Sequence, residues 1–211
     1  MDIQKLFQII FSIGKWREKR LRLFYKTFKP LDKRYNILDV GGYSNSWISN
    51  YKDFKKITLL NLQKEKNIPM KNISSIKGDG RKLEFEDKKF DIVFSNSVIE
   101  HVGSFEDQKN FAKEAMRVGK KIWIQTPAKE FFFEPHFLFP FFHWLPIAIR
   151  KIIIYITPWY LINWANKKAI DEIINEIRIL SKNEIKSLFP DCEIVSEKFL
   201  FFTKSYIIIR N

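Results

Sequence analysis

Short apolar segments alternate with helical patterns from Asn36 onward. Each apolar segment has the length of a buried strand, and helical spacing recurs between several of them. This alternation is typical of a parallel sheet whose strands are joined by crossover helices. The segments that predict strands are residues 37–40, 57–60, 75–77, 91–94 and 121–125.

Two more strand-like segments, residues 193–197 and 205–210, end the chain with only a short connection between them. Strands joined so closely pair antiparallel, which predicts a mixed edge of the sheet. The sequence therefore predicts an α/β fold: a three-layer sandwich around a mostly parallel seven-stranded sheet with its last strand antiparallel. A chain of 211 residues fits this as one domain, residues 1–211.

Residues 1–30 combine helical spacing of apolar residues with a dense set of lysines and arginines. This pattern predicts one N-terminal basic amphipathic helix. The apolar run is short and no small-residue cleavage site follows it, so a signal peptide is not expected. The helix either packs on the edge of the domain, or lies on an anionic membrane or grips an anionic substrate.

Residues 131–165 form an aromatic segment after the fifth predicted strand. Pro140, Pro146 and Pro158 interrupt it and the basic pair at 150–151 divides it, so neither half can span a bilayer. We expect a helical insertion there. It either completes the core, as aromatic residues usually do, or forms a lid or interfacial element over an apolar cleft.

The net charge of +13 indicates attraction to phosphate in nucleic acid, anionic lipid or a phosphorylated substrate, or only a basic solvated surface. The single cysteine, Cys192, excludes an internal disulfide framework and agrees with a reducing cytoplasm. The three histidines do not have zinc-ligand spacing, so no metal is expected. We expect a cytoplasmic protein with peripheral contact to the inner face of an anionic membrane.

Ligands of an open parallel sheet bind at the carboxyl ends of its strands, so the residues that follow each predicted strand form the candidate site. Paired glycines after the first strand allow the backbone to approach a ligand closely. Asn61 lies about twenty residues further on, where such folds place a group that binds ribose hydroxyls. The candidate cofactor-binding residues are Asp39, Gly41, Gly42, Tyr43, Asn61, Leu62, Asp79, Gly80, Ser95, Asn96 and Ser97.

Three segments then carry a family resemblance: residues 37–42 (Ile-Leu-Asp-Val-Gly-Gly), residues 77–80 (Lys-Gly-Asp-Gly) and residues 90–102. Together they resemble class I S-adenosylmethionine-dependent methyltransferases of the small-molecule type, which includes quinone-biosynthesis enzymes. The resemblance covers about residues 36–127 and implies a Rossmann-like methyltransferase fold with S-adenosylmethionine as the cofactor.

The resemblance also implies roles for individual positions. The glycines at 41 and 42 would pass beneath the methionine part of the cofactor, Asn61 would meet its ribose, and Asp79 its adenine amino group. Residues 95–97 would line the inner side of the cofactor. The chain departs from the family pattern at Tyr43 and Asn45, where glycines are usual, and at Asn61, where an acid is usual.

Methyl transfer to a hydroxyl requires removal of its proton, and histidine is the side chain best suited to this near neutral pH. His136 follows the fifth predicted strand beside the aromatic segment, with Glu134 as an orienting partner. His101 follows the fourth predicted strand and is the second candidate, although a structural role is the commoner one there. His136 and His101 are therefore the candidate catalytic residues.

We predict methyl transfer to a small or lipid-linked acceptor, by O-methylation of a glycan or lipid-type molecule. The first alternative is an RNA methyltransferase, which the net charge suggests, although no appended RNA-binding module is evident and nucleic acid is not the expected partner. The second is a non-catalytic binding protein that retains the fold, which the departures at Tyr43, Asn45 and Asn61 suggest. A nicotinamide dehydrogenase is a weaker third, because the full GxGxxG spacing is absent.

Overall fold

A computed structural model describes residues 13–29, 33–134 and 136–211 of the chain. The first part of the predicted N-terminal helix, residues 1–12, lies outside the described residues, as does Pro30. Within the described residues that helix runs from Ile13 to Thr27. It ends before Pro30, in keeping with the steric clash that disfavours helical backbone in the residue preceding a proline.

Seven strands form one sheet, as the sequence predicts. The strands are β1 (Asn36–Val40), β2 (Lys56–Asn61), β3 (Ile73–Lys77), β4 (Phe90–Asn96), β5 (Gly119–Pro127), β6 (Glu193–Phe199) and β7 (Phe202–Arg210). Their order across the sheet is β3-β2-β1-β4-β5-β7-β6. Strands β1 to β5 are parallel, and β7 pairs antiparallel with both β5 and β6. The last strand is thus the reversed one, which confirms the predicted mixed edge.

Helices cover both faces of the sheet and complete the three layers. They are α1 (Ile13–Thr27), α2 (Phe105–Val118), α3 (Ile147–Ile153), α4 (Pro158–Asn163), α5 (Lys167–Glu176) and α6 (Lys182–Leu188). Side chains of α2 and α6 pack against one face of the sheet, and side chains of α1 pack against the other. Each face of the sheet has its own hydrophobic core, because successive strand side chains point to opposite faces. Ile122 and Ile124 face α2, whereas Trp123 between them faces α1.

Local sequence explains where α2 begins and ends. The Ser104 side chain accepts a hydrogen bond from the Asp107 amide, and the Asp107 side chain accepts one from the Ser104 amide, which is a reciprocal capping box. Gly119 ends the helix in extended backbone and is already the first residue of β5. A Cβ on Gly119 would lie 2.7 Å from a methyl carbon of Val93, so close packing of the helix end on β4 requires glycine there.

The helix α1 is fixed to the sheet by aromatic packing and by one arginine. Phe24 is buried and meets Trp123 edge-to-face at a centroid distance of 5.3 Å and Phe94 at 5.8 Å. Arg20 donates from Nε to Glu197 on β6 at 2.7 Å. Because the same guanidinium also reaches Asn96 at the carboxyl end of β4, the amino-terminal half of α1 lies over the ligand edge of the sheet.

The aromatic insertion has a buried side and an exposed side. A separate core cluster includes Phe137, Phe142 and Ile154, packed against isoleucines of α5. Trp164 and Ile152 are instead 76% and 73% exposed. The insertion therefore builds a small core of its own and still presents apolar side chains to solvent. Among the described helices, none is both long and apolar enough to cross a membrane.

Substituting Phe24→Ala should lower the free energy of unfolding by about 3–5 kcal/mol, because it removes a fully buried ring that contacts two strands. Leu21→Ala is the matched control in the same helix, since Leu21 is 36% exposed and should cost roughly 1 kcal/mol or less. Urea unfolding of both variants checks this. Equal losses would mean that the packing of α1 on the sheet does not depend on Phe24.

Candidate active site

The backbone after β1 passes through a space that only glycine fits. Gly41 has a φ of +81°, and a Cβ there would lie 2.4 Å from a methyl carbon of Val98. A Cβ on Gly42 would lie 1.7 Å from Oδ2 of Asp39. Bare backbone therefore faces the carboxyl edge of the sheet at the two positions where the sequence predicts close approach to a cofactor.

The backbone at Gly41 and Gly42 forms the glycine loop. Asp39 lies beneath this loop rather than at its surface. Its side chain is 1% exposed, and the indole Nε1 of Trp47 donates a hydrogen bond to Oδ2 at 2.7 Å. Burial raises the pKa of Asp39 to about 7, and the hydrogen bond from Trp47 acts in the opposite direction. Asp39 thus joins the end of β1 to the short helical turn Ser44–Trp47 that follows the loop.

Polar side chains from β2 and the loop after it hold the glycine loop from the other side. Asn61 donates from Nδ2 to the carbonyl oxygen of Gly42 at 2.7 Å. Glu65 accepts from the amide of Ser44 at 2.9 Å and from its hydroxyl at 2.6 Å. The role of Glu65 was not predicted, because no local motif in the sequence links it to Ser44. Tyr43 and Leu62 are 58% and 69% exposed at this edge.

Asp79, after β3, is engaged by a neighbouring cation. Arg81 donates to its carboxylate from Nε at 3.0 Å and from an NH2 group at 2.7 Å, and also contacts Asp107 at 3.0 Å. The hydrogen bond from Arg81 lowers the pKa of Asp79. The carboxylate is therefore ionised near neutral pH and shared with Arg81. Beside it, Gly80 packs so closely that a Cβ would lie 2.9 Å from the ring of Phe111.

The residues after β4 occupy two levels. Ser95 is fully buried, and its hydroxyl donates to the carbonyl oxygen of Val40 at 3.0 Å. Asn96 and Ser97 lie nearer the surface: Asn96 accepts from Arg20 at 3.3 Å, and Ser97 donates to Gln125 at 2.9 Å. Ser95 thus ties β4 to β1, while Asn96 and Ser97 remain at the edge where a cofactor would bind.

A cluster of histidines and buried glutamates follows β4 and β5 at the same edge. It consists of Glu100, His101, Glu134, His136 and His143, which include every histidine of the chain. Nδ1 of His136 lies 2.6 Å from Oε1 of Glu134, and the rings of His101 and His136 meet edge-to-face at a centroid distance of 4.9 Å. Both predicted catalytic residues, and the predicted orienting partner Glu134, are therefore brought together.

The remaining contacts of this histidine–glutamate cluster connect it to the sheet and the insertion. Thr126, at the end of β5, donates to Oε2 of Glu100 at 3.1 Å. Nδ1 of His143 lies 3.5 Å from Oε2 of Glu134. Glu100 was not among the predicted site residues, although its place directly before His101 and after β4 was a signal that could have identified it.

Burial and charge shift the titration of the cluster in opposite directions. Burial raises the pKa of Glu100 to about 7 and lowers the pKa of His101. Burial also acts to lower the pKa of His136, but the hydrogen bond and the charge of Glu134 outweigh it, so the net pKa of His136 is raised. Sequence alone left the direction for His136 open, because the two effects oppose each other.

Comparison with known proteins identifies the type of domain and the fold. Residues 45–121 match the family model described as "Methyltransferase domain". Among solved structures, one S-adenosylmethionine-dependent methyltransferase from Archaeoglobus fulgidus is 14% identical, with 99% of each chain covered and a TM-score of 0.58. Another, from Aquifex aeolicus, is 16% identical, with 92% of this chain and 88% of that chain covered and a TM-score of 0.54. No curated protein matches the chain.

The sheet order and the solved structures define the class I methyltransferase fold, which confirms the predicted fold class. The family-model match to residues 45–121, together with the shared fold, supports an S-adenosylmethionine-dependent methyltransferase with S-adenosylmethionine as its cofactor. Both were predicted from residues 37–102.

Gly42→Ala should weaken S-adenosylmethionine binding roughly tenfold to a hundredfold. The added methyl group overlaps the Asp39 carboxylate, and overpacking of this kind costs about 1–3 kcal/mol. Isothermal titration calorimetry measures the effect. Asn45→Ala, an exposed change in the same loop, is the control and should bind as the wild type does. Wild-type affinity in a folded Gly42→Ala protein would place the cofactor away from this loop.

Proposed function

We propose that the chain transfers the methyl group of S-adenosylmethionine to an oxygen of a lipid-linked or glycan-type acceptor. The observation that carries the proposal is the position of the histidine–glutamate cluster. Val98 packs against Gly41, and Glu100 and His101 follow Val98 by two and three residues. The glycine loop and a group able to take a proton therefore share one edge of the sheet. The proposal treats residues 1–211 as one catalytic domain.

For the cofactor, we propose that the backbone at Gly41 and Gly42 supports the methionine part. Asn61 uses its Nδ2 within the protein, which leaves Oδ1 to accept from a ribose hydroxyl. Asp79 would accept from the adenine amino group with the carboxylate that Arg81 keeps ionised. We propose that the other positions predicted from the sequence also take part. Two are buried beneath the carboxyl edge of the sheet, Asp39 and Ser95, and five lie at that edge: Tyr43, Leu62, Gly80, Asn96 and Ser97.

In the proposed reaction the acceptor oxygen attacks the methyl carbon of the sulfonium. The oxygen–carbon bond forms as the sulfur–carbon bond breaks, which leaves S-adenosylhomocysteine as a neutral thioether. His136 takes the acceptor's hydroxyl proton on Nε2, since Glu134 already engages its Nδ1. His101 is the second candidate for this role. Holding the acceptor in line and away from water is the larger part of the catalysis.

The insertion next to His136 supports the proposed acceptor class. Its exposed side chains are mostly aliphatic or aromatic. Several lie on α3, on α4, in the turn between them or directly after α4: Ile147, Ile149, Ile152, Tyr155, Ile156, Leu161, Ile162 and Trp164. Such side chains on a basic protein suit the headgroup level of an anionic membrane. A membrane-linked acceptor would therefore reach the catalytic edge from this side. The likeness to quinone-biosynthesis enzymes stays a prediction.

His136→Ala should bind S-adenosylmethionine as the wild type does and lose methyl transfer by roughly 10²–10⁴-fold, which is the usual effect of removing a general base. Transfer is measured as S-adenosylhomocysteine formed with lipid-linked glycan acceptors. His143→Gln is the matched control, because His143 also touches Glu134 but keeps a donor to the Lys129 carbonyl as glutamine. Wild-type turnover by folded His136→Ala would shift the role to His101.

Anionic liposomes should bind the protein in a flotation assay, and recovery should fall as salt screens the basic surface. The double variant Ile152→Ser with Trp164→Ser should bind at least about tenfold less, since each side chain contributes about 1.5–3 kcal/mol when fully buried. Ile48→Ser, an exposed isoleucine outside the insertion, is the control. Equal recovery of all three proteins with the liposomes would mean that the insertion does not contact the membrane.

A further inference from the structure

Three side chains of the histidine–glutamate cluster are placed as metal ligands. One ligand atom each from Glu100, His101 and His136 lies within 4.8 Å of the others. Ligand atoms around a tetrahedral zinc ion stand about 3.3–3.6 Å apart, because each bond is about 2.0–2.2 Å long, so these atoms lie within roughly 1 Å of the separation that an ion requires. Small side-chain adjustments would therefore let all three reach one ion. Two imidazoles with one carboxylate also form a known zinc set that leaves a position open.

Glu100 supplies an independent observation. Its side chain is 0% exposed, and Oε1 has no hydrogen-bond partner among the described residues. Thr126 satisfies only the other oxygen. A buried carboxylate oxygen without a partner is costly, and a bound cation removes that cost directly.

The surroundings of the two imidazoles match the second layer of metal sites, in which a carboxylate orients each ligating histidine. Glu134, itself 0% exposed, engages Nδ1 of His136 at 2.6 Å and leaves Nε2 for an ion. Oε1 of Glu176 lies 3.5 Å from Nδ1 of His101, which leaves Nε2 of that ring as well. Both rings are thus held by carboxylates at one nitrogen.

We propose that Glu100, His101 and His136 bind one divalent cation of the zinc type, with at least one coordination position left for an oxygen of the acceptor. Histidine nitrogens favour Zn²⁺ and similar transition metals over Mg²⁺, which prefers oxygen ligands. The two histidines are 35 positions apart in the sequence, which is not a zinc-ligand spacing, and the fold brings them together.

This inference rests on the proposed function for the role of the ion, but not for its binding. A cation that coordinates the acceptor's hydroxyl oxygen lowers the pKa of that hydroxyl. The O–H proton then passes to solvent water, and the oxygen attacks the methyl carbon as before. In this state His136 serves as a ligand of the ion, so its lone pair is not the proton acceptor.

Equilibrium dialysis of the EDTA-treated full-length protein against Zn²⁺, followed by metal analysis, tests the site. We expect one Zn²⁺ per chain in the wild type and in His143→Gln, which lies outside the ligand set. Glu100→Gln, His101→Gln and His136→Gln should each lose this binding. Glu134→Gln should weaken it by roughly 10- to 100-fold, the usual effect of removing a supporting partner. Circular dichroism checks that each variant is folded.

The inference is overturned if the wild type binds no stoichiometric Zn²⁺, or if folded ligand variants bind it as well as the wild type does. Selective binding of Mg²⁺ in place of Zn²⁺ would overturn the assigned ion. S-adenosylmethionine binding, measured on the same samples, separates the two proposals. Methyl transfer that persists in EDTA without bound zinc would support the proposed function and overturn the role of the ion. Stoichiometric zinc binding by a protein that does not transfer methyl groups would support the metal site and overturn the proposed function.

Discussion

The pairing of β1 with β2 on one side and β4 on the other is the constraint on which the site depends. Because β1 lies between them in a parallel sheet, the loops that follow all three strands open at one edge, and the direction of the chain across the sheet changes there. For this reason the glycine loop after β1 and the Glu100–His101 turn after β4 are neighbours.

The buried carboxylates at that edge differ in the segments from which their hydrogen-bond partners come. Asp39 receives its hydrogen bond from Trp47, nearby in the chain, and fixes the course of the glycine loop. Glu100 accepts a hydrogen bond from Thr126 on β5, whereas Glu134 engages His136 within the insertion. The edge-to-face contact of His101 with His136 joins the turn after β4 to the insertion, so the insertion contributes to this edge of the sheet.

Local patterns explain why the sheet could be predicted and the site only in part. Strands β1 to β7 follow from short apolar runs, and the glycines at 41 and 42 follow from their position after the first run. The engagement of Asp79 by Arg81 was not predicted, because a neighbouring arginine has many rotamers that sequence does not select. Glu100 was missed because its significance comes from His136, which lies 36 residues away and is placed by the fold.

The insertion is partly buried and partly exposed, whereas the sequence presented a core segment and a lid or interfacial element as alternatives. Phe137 and Phe142 are buried in a cluster of their own, as a core segment requires, while Trp164 is largely exposed. Because this cluster stabilises the segment, some of its apolar side chains can stay exposed instead of packing against the sheet. Within this one segment, His136 and His143 lie at Glu134, while side chains such as Trp164 remain exposed.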